Sequence, residues 1–490
     1  MKNYTLEKSV KALIGLALTN FSVFAEEAST STQAKEPIQL EDAIQADADS
    51  QVGKALIEPS QSKEEAIEEL SPSAKPGPKV MTLSEALKIA HEYHPEMLSK
   101  KYTIDQFTHN YEGSKGSWLP TVNYNMQWGP ERNVDRLRTA TDTLKDTENQ
   151  TTEVHSVKVR QLLFDSDRTN SAIDQNQQRL AQSRFDFDQT KEGLTFAVIS
   201  AYVELLRQSK LKKLAAENFK RHQDLHNKVK NRSDLKRETK VSLAQAGSRL
   251  LRAKNFTVQT DYSLRQAKTA YYQLIGAPAP EQLDEVTMDY FTQAKSLFEA
   301  FRLAQNHPAL KRSKSKLIEA QSRVITSKAA NGPEIALELN SYYDRDANGQ
   351  NAENEEYNAL ITLNWNLYRG GQDKHAYRGA LSDVLVNQND YKTIEREINE
   401  SVEDAWIELE KLRANLEILL EQKDLARFTA DGFVEQYDKS GRSLFDVLNA
   451  ETDAFNTETS YISAQYDEII SFARLGFFMG DITARIKARK

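Results

Sequence analysis

The histidines are the residues whose type and spacing could support chemistry in this sequence. Of eight histidines, His91 and His94 are three residues apart, and His222 and His226 are four residues apart. Either spacing places two imidazole rings on one face of a helix, where such a pair can ligate zinc. Neither pair has a third ligand of matching character nearby in the sequence, and the second lies among lysines and arginines. We therefore predict no metal site.

Other signatures of catalysis are missing from the sequence. It contains no cysteine, which excludes disulfides, thiolate metal centres, a cysteine nucleophile and an acylated N-terminal cysteine. No glycine-rich phosphate loop, GxSxG string or HExxH string occurs. We predict that the protein is not an enzyme and carries no cofactor.

Composition and the N-terminal region indicate export from the cytoplasm. The chain has 490 residues, a formal net charge of −8 and 39% hydrophobic residues, a balance that does not favour nucleic-acid binding. Residues 1–25 combine lysines, an apolar stretch and the small residues Val23 and Ala25, a pattern typical of a signal peptide. Residues 26–79 contain no aromatic residue, five prolines and 12 acidic against 5 basic residues, which predicts a disordered segment.

The rest of the chain is a tandem duplication. Similar passages lead to His94-Pro95 and to His307-Pro308, which are 213 residues apart, and AYVEL at 201–205 matches AWIEL at 405–409. Agreement in the same order at several places predicts two similar halves. We place these halves at 80–290 and 291–482, and a basic tail follows at 483–490.

Each half contains two segments in which apolar and polar residues alternate, as in a β-strand. We place these strands at about 119–128, 155–164, 334–343 and 357–367. A transmembrane strand needs about 9–11 residues with one apolar face, and the alternative is a small soluble sheet with one buried face. In a membrane, the following residues would face lipid: Val122, Tyr124, Met126, Trp128, Ile361, Leu363 and Trp365.

The number of strands and the polar connections bear on these alternatives. Four strands cannot close a barrel, and an open sheet edge in lipid leaves backbone groups without hydrogen bonds. Strands that cross a membrane would therefore require several copies of the chain in one barrel. The connections at 129–153 and 344–356 are polar, as extracellular loops would be.

Long stretches without proline predict long helices. We place them at about 169–230, 236–275, 374–438 and 443–479. Isolated helices of this length must pack along their sides, so coiled-coil pairing is expected. By themselves, the helices also suit a soluble periplasmic coiled-coil adaptor.

Several strings, taken in order, resemble the TolC family of outer-membrane efflux proteins. They are LSEAL at 83–87, WLP at 118–120, LFD at 163–165, LYRGG at 367–371 and SLFDVLNA at 443–450. The resemblance spans about 81–482. It implies a mainly α-helical, tandem-duplicated protomer with a small transmembrane β part. Three chains would share one 12-stranded barrel in the outer membrane, continued by a helical tunnel in the periplasm.

The family resemblance also implies partners and a function. The homotrimer would contact outer-membrane lipid, a periplasmic membrane-fusion adaptor and an inner-membrane pump, either an ABC exporter or a proton-driven pump. The string GRSLFDVLNA at 441–450 is common in members that secrete proteins, which favours type I secretion over efflux of drugs or other small molecules. A passive porin is disfavoured by the few strands and the long helices. Without a cysteine for a lipid anchor, the barrel itself would hold the protein in the membrane.

Finally, the resemblance implies a constriction at the periplasmic end of the tunnel. Tyr437, Arg442 and Asp446 match the family pattern position by position and offer a hydroxyl, a guanidinium and a carboxylate. The alternative for Arg442 and Asp446 is an ordinary turn cap between two helices, with Gly441 relieving the backbone.

Two positions depart from the family pattern of this constriction. Asn449 stands where the family often has a second acidic residue, and Lys240, next to Thr239, stands where the family has an aspartate. Both departures weaken an acidic ring in the pore.

Overall fold

Four long helices dominate the structure, a computed structural model that describes residues 80–138, 143–292, 294–346, 352–439 and 441–486. The predicted signal peptide and the acidic segment 26–79 lie outside the described residues. The strands are β1 Val80–Met81, β2 Thr121–Arg138, β3 Thr143–Phe164, β4 Gln282–Leu283, β5 Glu334–Arg345 and β6 Glu353–Asn364. The helices are α1 Leu83–Tyr93, α2 Pro95–Lys115, α3 Arg168–Asp234, α4 Lys240–Ile275, α5 Leu297–Ala304, α6 Pro308–Ala329, α7 Gln372–Asp438, α8 Leu444–Met479 and α9 Ile482–Arg485.

The long helices repeat the duplication seen in the sequence. Helices α3 and α7 each have 67 residues, and α4 and α8 each have 36. The second member of each pair begins 204 residues after the first, the same offset that relates AYVEL to AWIEL. Among the helices that the structure describes, none has both the length and the apolar character needed to cross a membrane.

Side-chain caps explain where the shorter long helices begin. Helix α4 begins at Lys240, rather than near 236, because the Thr239 side chain accepts a hydrogen bond from Ser242 N and ends the preceding turn. Lys236 has a left-handed φ of 60°, which a continuing helix does not allow. Ser443 caps α8 in the same way by accepting from Asp446 N.

The chain divides into two compact units, and each contains residues from both sequence repeats. One unit takes in Gly113–Asn170 and Ile325–His375, and the other takes in residues 80–112, Ser171–Val324 and residues 376–486. The first unit contains the four-stranded antiparallel sheet, in the order β2-β3-β5-β6.

Strands β2 and β3 extend well beyond the predicted strands. Gly129–Arg138 pairs with Thr143–Thr152 in unbroken register, although we assigned residues 129–153 to a connection. Apolar alternation ends at Trp128, so the pattern that marks a half-buried strand stops there while the backbone pairing continues. We call these paired residues, 129–138 and 143–152, the ribbon.

The register places the predicted apolar residues of both halves on one face of the sheet. Tyr124 pairs with Val157, Val157 with Ser341, and Ser341 with Tyr357. Because side chains alternate along each strand, Val122, Met126 and Trp128 share the face of Tyr124, and Ile361 and Leu363 share the face of Tyr357. We call this the apolar face. In the single chain it is open: Val122 is 51% exposed, and Ile361 is 75% exposed.

The second unit has a hydrophobic core where the long helices meet β1 and β4, a parallel pair. Tyr202 of α3 lies fully buried in this core and donates hydrogen bonds to the carbonyl oxygens of Met81 (2.9 Å) and Asp284 (3.0 Å). Tyr271 of α4 packs beside it, with ring centroids 6.4 Å apart. A buried hydroxyl with two acceptors fixes the helix against the short sheet.

Candidate functional site

The residues predicted to form a constriction gather in the second unit, where the long helices end. Helix α3 ends at Asp234 before α4 begins at Lys240, and α7 ends at Asp438 before α8 begins at Leu444. Two hairpins result, the first from α3 and α4 and the second from α7 and α8. We call residues 221–249 and 427–458 the helix-tip region.

A small apolar cluster holds the two hairpins together at this end. It contains residues from all four long helices and is separate from the main core of the unit. Its buried members are Leu225, Val229, Ala246, Tyr437, Leu444, Val447 and Leu448. Burial of apolar side chains against each other supplies the non-directional part of the attraction between hairpins.

Tyr437 provides the most specific contact between the hairpins. It is 2% exposed, and its hydroxyl donates a hydrogen bond of 2.9 Å to Oε1 of Glu238, in the turn of the first hairpin. The guanidinium of Arg232 lies over the Tyr437 ring, 4.3 Å from its centroid. Burial, above all, raises the pKa of the Tyr437 hydroxyl, so it remains a donor at physiological pH.

The end of α7 is capped by cations from α3. Arg232 donates to the carbonyl oxygens of Tyr437 (3.1 Å) and Asp438 (3.2 Å), in the last turn of α7. Lys228 Nζ lies 2.8 Å from Asp438 Oδ2. Positive side chains at a helix C-terminus satisfy its free carbonyls and oppose the partial negative charge of the helix dipole.

Sequence reasoning found Tyr437 but missed its partner. The acidic partner is Glu238, two residues before Lys240, the position that we compared with the family aspartate. Glu238 directly precedes the N-cap Thr239 and lies 204 residues before Arg442, which directly precedes the N-cap Ser443. Comparison of the two repeats at their caps was the signal that could have identified Glu238.

Arg442 and Asp446 pair with each other within the second hairpin. Arg442 Nε lies 3.1 Å from Asp446 Oδ2, and the two side chains are 36% and 40% exposed. The Arg442 guanidinium also lies over the ring of Phe433, 3.8 Å from its centroid. In one chain, this arrangement is that of a stabilised turn whose charged groups stay accessible to water.

Asn449 joins the hairpins, whereas Thr239 and Lys240 do not take part in that contact. Arg249 of α4 donates to Asn449 Oδ1 (3.0 Å) and to Thr452 Oγ1 (3.3 Å), both on α8. Thr239 caps α4 through Ser242, and Lys240 is exposed in the first turn of that helix.

Further from the turns, a layer of buried ion pairs adds a second connection. Glu451 is 4% exposed and accepts from Arg427 Nη1 (3.0 Å), while Arg427 Nε donates to Glu458 Oε1 (2.8 Å). Arg221 of α3 reaches Asp431 Oδ1 (3.0 Å) and lies 3.8 Å from Glu451 Oε1. Charges that are removed from water and paired in this way hold a defined geometry.

Neither histidine pair is arranged as a metal site. His91 Nε2 lies 2.8 Å from Thr195 Oγ1, and burial, with a smaller contribution from Lys191, lowers the pKa of His91 to about 4. His222 is 5% exposed, and burial, with a smaller contribution from Arg249, lowers its pKa to about 4. Over the described ranges, no three His, Asp or Glu side chains are grouped so that they could hold a metal ion.

The geometry of the helix-tip region therefore suits a closure rather than a reaction. Hydrogen bonds, a helix cap and ion pairs join one hairpin to the other, and each can break and re-form without covalent change. Breaking them would allow the second hairpin to move relative to the first.

Comparison with known proteins identifies relatives along most of the chain. The family model described as "Outer membrane efflux protein" matches residues 86–277 and 302–481. The outer membrane efflux protein BepC of Brucella suis is 20% identical over 404 residues, which are 82% of this chain and 86% of that protein. The outer membrane protein TolC of Vibrio cholerae is 24% identical over 445 residues, which are 83% of this chain and 94% of that protein.

Solved structures share the fold. The outer membrane protein VceC of Vibrio cholerae superimposes with a TM-score of 0.71 at 13% sequence identity, over 81% of this chain and 96% of that one. At such low identity, the agreement concerns the fold alone.

Proposed function

Because the chain belongs to the outer membrane efflux protein family, we propose that it is the exit duct of a tripartite export system, in particular one for type I protein secretion. The family consists of channel proteins, and the protein lies in the outer membrane with its helices in the periplasm. The proposal concerns the assembly, the gate and the cargo.

The open sheet with its exposed apolar face is the observation that carries the proposal. Within the described residues, β2 and β6 are edge strands with one side unpaired. In lipid, each unpaired backbone group costs several kcal/mol, so such a sheet is stable there only as part of a closed barrel. Three chains with four strands each would close a barrel of 12 strands, whose lipid-facing residues include Trp365, directly after β6. The homotrimer is therefore part of the proposal.

The long helices support the reach that a duct needs. A helix of 67 residues is on the order of 100 Å long at 1.5 Å per residue. We propose that twelve such long and shorter helices from three chains form the periplasmic tunnel. The helix-tip region would then meet a membrane-fusion adaptor and an inner-membrane pump.

We further propose that the helix-tip region is the gate of this tunnel. Tyr437 and Asn449 would hold the second hairpin closed against the first, through Glu238 and Arg249. Arg442 and Asp446 would act in the pore, where their partly exposed charges meet those of the other two chains. Thr239 and Lys240 would bound the gate from the first hairpin.

Fractionation tests the duct against the soluble adaptor. We expect the protein in the outer membrane fraction as a trimer that requires detergent for extraction and dissociates on heating. A monomer that high salt releases from the periplasmic fraction would contradict the duct and favour the adaptor.

The cargo is tested by deleting the gene in its native host. A type I secretion duct predicts that one or a few proteins disappear from the culture medium and return on complementation. Unchanged secreted proteins together with increased sensitivity to several drugs would instead support the second candidate, small-molecule efflux. The string GRSLFDVLNA at 441–450, which forms the turn and first turns of α8, favours the first outcome.

A further inference from the structure

The ribbon extends the sheet on one side only. Strands β5 and β6 have 12 residues each, whereas β2 and β3 have 18 and 22. Strand β3 pairs with β5 from Phe164 to Glu153, so the ribbon beyond that point has only its own two strands in the described chain. Isolated two-stranded ribbons are marginally stable in water, and a partner surface would stabilise this one.

The charged residues of the ribbon are segregated between its two faces. Every pairing from Thr121↔Arg160 to Arg138↔Thr143 keeps the same register without a bulge, so the alternation of faces is unbroken. The face that continues the apolar face carries Arg132, Arg136, Arg138 and Lys145 and no acidic residue. The opposite face carries Glu131, Asp135, Asp146 and Glu148 and no basic residue. We call the first the basic face and the second the acidic face.

The segregation places like charges in direct register. Arg136 pairs with Lys145, and Asp135 pairs with Asp146. Like charges opposite each other destabilise an antiparallel pair, and a shift by one residue would relieve both contacts. The observed register is therefore the one that a partner with concentrated negative charge would favour on the basic face.

Position along the sheet identifies the kind of partner. The basic face follows directly on Val122, Tyr124, Met126 and Trp128, which are all more than half exposed. On the same face, Glu153 is already paired with His155 (2.8 Å) and with Arg345 (3.7 Å), so these charges are satisfied within the chain. An apolar band, a set of aromatic residues and then a row of cations match the order of acyl chains, interface and phosphates in a leaflet.

We propose that the basic face of the ribbon binds the phosphorylated headgroups of the lipids that surround the barrel in the outer leaflet. This inference rests on the proposed function, since it takes the apolar face as lipid-facing and the ribbon as extracellular. Arg132, Arg136, Arg138 and Lys145 pair with headgroup phosphates, while the acidic face remains in water. The contact gives the ribbon its partner and fixes the height of the barrel in the membrane.

The test measures lipid binding by the full-length protein in a neutral detergent. Diphosphorylated lipid A and its dephosphorylated form are titrated against the wild type, and bound lipid is counted by native mass spectrometry. We expect a clear preference for the phosphorylated form that is lost in 1 M NaCl, where the Debye length is only about 3 Å. Millimolar inorganic phosphate should not compete, because it lacks the acyl chains.

Two matched fourfold variants locate the binding. Neutralising the basic face, by R132Q, R136Q, R138Q and K145Q together, should weaken the phosphorylated lipid at least about tenfold, because each Lys or Arg near an anionic surface contributes to binding. Neutralising the acidic face, by E131Q, D135N, D146N and E148Q together, should leave binding unchanged or tighter. Equal binding of both lipids by the wild type, or unchanged binding by the basic-face variant, would overturn the inference.

The two lipids are compared on the wild type, so the inference is testable even if a fourfold variant does not fold. Planar-bilayer conductance of the same wild-type sample tests the proposed function separately. A conducting protein without lipid preference contradicts only this inference. A protein that prefers the phosphorylated lipid but does not conduct contradicts only the duct.

Discussion

The hydroxyl of Tyr437 donates a hydrogen bond to the carboxylate of Glu238, 199 residues earlier in the chain, at 2.9 Å. One residue belongs to the end of α7, and the other to the turn between α3 and α4. Because an acidic acceptor strengthens such a bond and Tyr437 is buried, this contact is the strongest single connection between the two hairpins that we identify.

Removal of that hydroxyl should open the channel. In Tyr437→Phe the ring still fills its place, but Glu238 loses its partner, at a cost of roughly 1.5–3 kcal/mol for a hydrogen bond to a charged group. We expect a higher single-channel conductance in planar bilayers. Tyr262→Phe is the control, since Tyr262 is 63% exposed on α4. Equal conductance of Tyr437→Phe and wild type would contradict a closing role for this bond.

Arg442→Ala separates a gate from a turn cap. In one chain Arg442 contacts Asp446 and Phe433, so its removal should cost no more than about 1 kcal/mol of stability, as for an exposed ion pair. If Arg442 acts in the pore, conductance rises although stability hardly changes. A turn cap predicts the reverse: an altered melting temperature with wild-type conductance. Measurement of both quantities on one preparation decides between them.

His222 should make the folded protein sensitive to acid. Its pKa is lowered to about 4 by burial and by Arg249, from an ordinary value of 6.5. The native state therefore binds fewer protons than the unfolded state between these values. Stability is complete above pH 6.5 and falls as the pH drops toward 4.

The loss from His222 is on the order of 2 kcal/mol at pH 5. We expect His222→Gln to unfold at nearly the same temperature at pH 7.5 and pH 5, compared with a larger decrease for the wild type. His109→Gln, at an exposed position on α2, is the control. A wild-type pH dependence in His222→Gln would mean that other groups cause the acid sensitivity.

Neighbouring residues on β6 should respond oppositely to a charge. Ile361 lies on the apolar face and Leu360 on the opposite face, and both are exposed in the single chain. A lysine on the lipid side near the midplane costs about 2–4 kcal/mol, whereas on the pore side it stays in water. Ile361→Lys should therefore reduce heat-resistant trimers in the outer membrane, and Leu360→Lys should not. Similar losses in both variants would contradict the assignment of faces.

The duplication provides a matched pair of glycines. Gly276 and Gly480 follow α4 and α8 with φ of 74° and 72°, but only Gly480 is crowded: an added Cβ would lie 2.8 Å from His307 Cδ2 and Pro308 Cδ. Gly276→Ala should cost roughly 1–2 kcal/mol for the left-handed conformation. Gly480→Ala should cost a further 1–3 kcal/mol for overpacking, roughly. Denaturant unfolding of the two variants measures the difference, and equal costs would show that the second half yields without penalty.

The sequence determined the local architecture because local patterns encode it. The absence of proline and the spacing of apolar residues indicated the long helices, and α7 begins within two residues of its predicted start. The alternation of Val122, Tyr124, Met126 and Trp128 identified a strand and its apolar face. The repeated passages identified the duplication, which the equal lengths of α3 and α7 repeat in the structure.

Only the tertiary structure decided which distant residues meet. Nothing local distinguishes Glu238 from the other acidic residues near the turns, because its role depends on the packing of α3 beside α7. The ribbon escaped notice for a related reason: backbone hydrogen bonds between Gly129–Arg138 and Thr143–Thr152 need no apolar alternation. Its two charged faces emerged only once the register was known, since a shift of one residue would exchange them on one strand. Periodicity along a chain is a local property, whereas register and partnership between segments are set by packing in three dimensions.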